Sequence, residues 1–186
     1  MLSLEQLDLS IKETPPLPLQ TTNSGANGRQ ALHFIAELDD ARFMKLILES
    51  PALASNPHVI DAVCGVHDKT ALILCAESGH ASSAKLLLQH KADVNYQDNL
   101  GRTCLHYAIY GESLSKATAQ SARDRSHADY VMLIKTIVQF RPDLKLSDNK
   151  RKWPPLFQAV GCGSLEVVEL LIKNGGGPLG GGGAQK

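Results

Sequence analysis

The sequence predicts an all-α solenoid of about four helix-turn-helix units with hairpin-like finger loops. Three observations predict it. A short motif recurs at Leu32, Leu72, Leu105 and Leu156, with spacings of 40, 33 and 51 residues. Each occurrence is followed by a run whose apolar residues repeat at i, i+3 and i+4, the spacing of one helical face. Clusters of Asn, Asp and Gly between the units supply the residues that tight turns need.

In the first unit "GRQALHFIAELDD" opens a short helix and "ARFMKLILES" supplies a longer amphipathic one. The second pairs "HDKTALILCAESGH" with "SSAKLLLQHK", and "ADVNYQDNLG" then marks the next finger. The third pairs "GRTCLHYAIYG" with "DYVMLIKTIVQ", and the fourth pairs "KWPPLFQAVGCGS" with "LEVVELLIKN". Gly79-His80 and Gly163-Ser164 are the clearest signals for the turn between two helices of one unit.

Two units exceed the 33-residue interval. Between units one and two, "PALASNPHVIDAVCG" reads as a lengthened finger loop broken by Pro51 and Pro57. Within unit three, residues 111–129 are Ser/Ala-rich and carry one large aliphatic side chain, Leu114. Such a segment buries too little apolar surface to form a domain. It reads either as a loop or as an extension of the second helix; Ser121 and Ser126, beside arginines, make a partner-contacting or phosphorylated segment the alternative. The chain thus divides into an N-terminal flexible segment, 1–27, a repeat domain, 28–176, and a Gly-rich tail, 177–186. Repeat arrays need a covered or polar outer face on the last unit, so Val167, Val168, Leu170, Leu171 and Ile172 are expected to be less protected than their upstream counterparts.

Composition narrows the function. Lys plus Arg and Asp plus Glu both total 19, which removes the basic surplus that nucleic acid or anionic membrane capture requires. The longest apolar segment, "YVMLIKTIVQF", is too short to span a bilayer. No secretory signal is legible at the amino terminus and the four cysteines form no C-x-x-C pair, so they read as reduced thiols in a cytoplasmic, and also nuclear, protein. No zinc-ligand spacing, phosphate loop or nucleophile elbow is present, and no metal or cofactor is expected. "KRK" at 150–152 is a weak basic patch. Thr103 and His106 lack the third orienting group of a catalytic triad, which points to a structural pair at a helix start and to a non-enzyme.

The motifs resemble the ankyrin repeat, whose signature opens Thr-Pro-Leu-His-x-Ala. Unit three matches best, with Asp98, Gly101, Thr103, Leu105, His106 and Ala108 in place, whereas unit two has Ile73 for His and unit four has Pro154 and Phe157 for Thr and His. The resemblance implies a non-catalytic adaptor or scaffold that binds a protein on a concave face made of turns and first helices. The alternative is a regulatory or inhibitory subunit of a transcription factor or signalling enzyme. Carried over position by position, the resemblance implies partner contacts at Arg29, Glu37, His67, Lys69, Glu77, Asn99, Leu100, Arg102, Tyr110, Lys150, Arg151 and Trp153. Charge is mixed in units one and two and basic in three and four, so an acidic or aromatic partner segment is expected toward the latter. Leu87, Asp93, Val94 and Asn95 resemble the surroundings of hydroxylated asparagines in ankyrin hairpins, which makes Asn95 a hydroxylation candidate. Pro15 to Pro18 resemble a WW-domain ligand of the PPLP type.

Overall fold

The computed structural model describes residues 30–38, 40–117 and 126–177. Arg29, the Pro15–Pro18 stretch, Ser121 and nearly all of the Gly-rich tail lie outside the described residues.

Unit one consists of α1 (Ala31–Leu38) and α2 (Ala41–Leu48), with Asp40 capping α2 by accepting from the Arg42 amide at 2.9 Å. The extra residues before unit two do not form a simple loop. Pro51 begins α3 (Pro51–Ser55) and Pro57 begins a 3-10 turn (Pro57–Asp61). Each proline stands at a first helical position, where the missing N–H costs nothing and φ is already helical; the expected breaks are therefore starts.

A minimal hairpin follows, β1 (Val63–Cys64) antiparallel to β2 (Lys69–Thr70), with Val63 opposite Thr70. Unit two continues as α4 (Ala71–Ser78) and α5 (Ala81–Gln89). Thr70 caps α4 by accepting from Ile73 N, and Gly79 ends it in the left-handed conformation, φ 77°.

Unit three is α6 (Cys104–Ala117) and α7 (His127–Gln139). The insertion lengthens both helices of this unit: α6 runs on to Ala117, and α7, 13 residues long against 9 for α5, begins inside the insertion at His127. "ESLSKA" contains good helix formers and no Pro or Gly, so nothing stops α6 after Gly111. Gly111 is needed there because a Cβ would lie 2.2 Å from the Tyr130 ring on α7. Ser126 and Asp129 form a capping box at the start of α7. Unit four is α8 (Pro155–Gly161) and α9 (Leu165–Lys173).

First helices stack on first helices (α1, α4, α6, α8) and second helices on second helices (α2, α5, α7, α9). Leu72, Ile73, Leu105, Ile109, Leu133, Ile134 and Ile137 fill the layer between the two rows and are almost fully buried. The expectation of a less protected last unit holds only in part. Val167 and Leu171 are fully buried, Val168 and Leu170 half-buried, and Ile172 exposed. Of the cysteines, Cys64, Cys75 and Cys104 are buried, Cys162 is half-buried, and all four are free thiols. Burial pushes the Cys104 thiol up to about 12, which suits a small hydrophobe and not a nucleophile.

Candidate functional site

The fingers and first helices build one face of the array, and two ladders hold it in register. In the finger ladder, Asn99 bonds the preceding finger twice: its amide donates to the His67 carbonyl at 3.2 Å and its side chain to the Val66 carbonyl at 2.6 Å. One unit later, Asn149 donates from its amide to the Leu100 carbonyl at 2.8 Å and from its side chain to the Asn99 carbonyl at 3.3 Å. Gly101, φ 72°, fits because a Cβ there would meet Asn149 at 2.7 Å.

The second ladder runs through histidines. Nδ1 of His106 accepts from the Thr103 amide at 3.2 Å and contacts Thr103 Oγ1 at 2.9 Å, while Nε2 donates to the Trp153 carbonyl at 3.1 Å in unit four. His33 does the same between units one and two, accepting from Gln30 N at 3.0 Å and donating to Ala62 O at 2.9 Å. Carbonyls can only accept, so Nε2 carries the proton in both rings. Burial lowers the pKa of His106 and keeps the ring neutral, the form that this pattern requires. The Thr/His pair is structural, and it reaches further than a local turn because it clamps consecutive units.

This scaffold brings five of the sequence-identified contact residues together. Arg102, Tyr110, Lys150, Arg151 and Trp153 border a cleft of about 280 Å³ between units three and four. Its wall is the Trp153 indole, which lies against the end of α8 because Gly161 has no side chain; a Cβ there would sit 2.9 Å from the ring. The Arg151 guanidinium stacks over that indole at 4.8 Å, and Arg102 lies over the Tyr107 ring at 5.7 Å. Tyr110 is 53% exposed at the rim.

The remaining sequence-identified residues fall elsewhere. Lys69 and Glu77 form an ion pair at 2.7 Å, and Lys69 also lies over the Tyr107 ring at 4.7 Å, so unit two neutralises itself on this face. Asn99 and Leu100 are spent largely on the finger ladder, although Asn99 remains exposed. His67 is exposed at the finger tip, and Glu37 is exposed on α1, away from the cleft. Asn95 is exposed, but its side-chain oxygen accepts from the Asp143 amide at 2.7 Å and ties two fingers together.

Three residues with site roles escaped the sequence reading. Tyr107 lies beneath Lys69 and Arg102 and donates its hydroxyl to Asp98 at 2.6 Å. Gln158 lines the cleft and donates to the His106 carbonyl at 2.9 Å. Glu112 is fully buried behind the face, where it accepts from Ser164 Oγ at 2.7 Å and pairs with His127 at 2.9 Å. The 3.6-residue period places Tyr107 and Gln158 near the face, but the stacking partners come from other units. Among the described residues, no group of His, Cys, Asp and Glu could hold a metal, and no helix is long and apolar enough to cross a membrane.

Comparison with known proteins places these features. The profile described as ankyrin repeats in three copies matches residues 8–98 and 32–119, and the single ankyrin repeat profile matches 151–180. An ankyrin repeat protein of Fowlpox virus (strain NVSL) is 24% identical over 147 residues, covering 77% of this chain and 36% of that protein. Neurogenic locus notch homolog protein 1 of Homo sapiens is 28% identical over 124 residues, covering 58% of this chain and 5% of that protein. The Xenopus laevis protein of the same name reaches 49% identity over 45 residues. The chain thus spans about a third of the viral relative and a small fraction of the Notch proteins, by the 36% and 5% figures.

Proposed function

Because the chain belongs to the ankyrin-repeat family, whose repeats are generally protein–protein interaction modules, we propose that it is a non-catalytic adaptor or scaffold that holds a protein partner on its concave face. The observation that carries this reading is the cleft between units three and four. It gathers Tyr110, Trp153, Arg102 and Arg151, the residue types that dominate binding hot spots, on a rigid platform of stacked helices. A pre-organised face loses little conformational entropy on binding. Nothing in the cleft has the arrangement of an active site: His106 has both ring nitrogens engaged and no nucleophile hydrogen-bonds to it except the Thr103 pair that caps α6.

The test is capture of partners from cell lysate by the intact chain and by the triple variant Arg102→Ala, Tyr110→Ala, Trp153→Ala. Circular dichroism checks that both are folded. Partners held by the intact chain and lost by the variant support the concave face as the working surface. Partners retained equally by both contradict it.

A further inference from the structure

Resting on the concave-face reading above, we infer that the cleft between units three and four is a carboxylate-binding subsite, which receives an Asp or Glu side chain from an extended acidic segment of the partner. Three observations converge on it.

The cations there are stacked and not ion-paired. Arg151 lies over Trp153 at 4.8 Å and Arg102 over Tyr107 at 5.7 Å. Face stacking fixes a guanidinium in place yet leaves its edge N–H donors free, and that edge matches the two oxygens of a carboxylate. Among the described residues, the ion pairs are made elsewhere on the molecule, and none involves Arg102, Lys150 or Arg151.

The acids nearest the cleft are already committed. Asp98 accepts from the Tyr107 hydroxyl and from the Leu100 and Arg102 amides, at 2.6, 2.9 and 2.8 Å. Asp148 accepts from the Arg151 amide, and both carboxylates are buried. Both are thus engaged by backbone amides and the Tyr107 hydroxyl, and among the described residues neither forms a salt bridge with Arg102 or Arg151.

The size and reach of the positive field fit one side chain and not a polyanion. The cleft holds about 280 Å³, and the neighbouring face is closed off by the Lys69–Glu77 pair. The whole chain has no net charge, so it lacks the long-range attraction by which nucleic-acid binders collect phosphates. An extended peptide that lays one acidic side chain into the cleft, with an apolar neighbour against the indole, satisfies both the charge and the aromatic wall.

Trp153 is the chain's one tryptophan, so the site carries its own reporter. The probe is the peptide acetyl-Gly-Asp-Glu-Leu-Asp-Glu-Gly-amide, titrated into the intact protein while Trp153 emission is followed. The controls are its Asn/Gln counterpart, inorganic phosphate and a single-stranded oligonucleotide. We expect a saturable emission change with the acidic peptide, weakened by salt and absent with the amide counterpart. The double variant Arg102→Gln, Arg151→Gln should bind roughly tenfold or more weakly, and Arg102→Lys with Arg151→Lys should recover part of the loss. Lys135→Gln on α7, whose partner is Glu166, should change nothing. No saturable change, an equal response to the amide peptide, or tighter binding of phosphate or the oligonucleotide overturns the inference. The concave-face reading would fall separately. A captured partner that is lost by the triple alanine variant but retained fully by the double glutamine variant keeps that reading and removes the carboxylate subsite.

Discussion

His106 donates from Nε2 to the backbone carbonyl of Trp153 at 3.1 Å, joining the start of α6 to the finger that carries the cleft's aromatic wall. Unit stacking and the shape of the candidate cleft therefore meet at one imidazole. Its other nitrogen holds the Thr103 amide, so a single side chain satisfies a helix start and a neighbouring unit.

Truncating that ring leaves the buried Thr103 amide without its side-chain partner, empties a fully buried ring site, and leaves the Trp153 carbonyl to the Asp148 amide alone, at 3.1 Å. His106→Ala should destabilise the domain by about 2–4 kcal/mol, read from the urea midpoint at unchanged slope. The same substitution at Tyr110, which is exposed, should shift the midpoint little.

Stability should fall on mild acidification. Burial lowers the pKa of both His106 and His80 in the folded protein below the ordinary value of 6.5. The unfolded chain then binds more protons between the two values, so this contribution is complete above pH 6.5 and is lost as pH falls through the depressed folded pKa values. Melting temperature measured from pH 8 downward should hold level and then decline below about pH 6.5. His106→Gln should make that decline shallower.

Gly101 is fixed by conformation and by space. Gly101→Ala places a Cβ at a left-handed residue and against Asn149, 2.7 Å away, and should cost about 1–3 kcal/mol. Gly163→Ala, also left-handed but with open space around it, should cost less, so paired denaturation curves separate strain from clash.

Lys91 and Arg141 end α5 and α7 with positive φ, 69° and 54°, where glycine is the preferred residue. Lys91→Gly should raise stability by about 0.5–1 kcal/mol, read as a higher thermal midpoint. The change is local and should leave partner capture intact.

Much of this was legible in the sequence because repeat folds write their rules locally. The turn glycines Gly79 and Gly163, the Thr70 cap and the Thr103–His106 pair each act within a few residues of themselves, so their spacing exposes their role. Arg102, Tyr110, Lys150, Arg151 and Trp153 converge because stacking puts equivalent positions of adjacent units side by side. What stayed hidden depends on partners distant in the chain. Glu112 sits in a polar insertion and reads as a solvated residue, yet Ser164, fifty-two positions away, reaches it in the interior. Lys69 and Glu77 look like two free contacts until the bend between β2 and α4 folds one onto the other. Pro51 and Pro57 read as breakers because a sequence does not show which side of a proline the helix occupies.

The most direct test of the binding face is amide hydrogen exchange on the chain with and without a captured partner. Binding on the concave face predicts slowed exchange in the fingers and first helices of units three and four, residues 98–110 and 148–162, with α5, α7 and α9 unchanged. Protection confined to α5, α7 and α9, with the cleft exchanging as before, would contradict it.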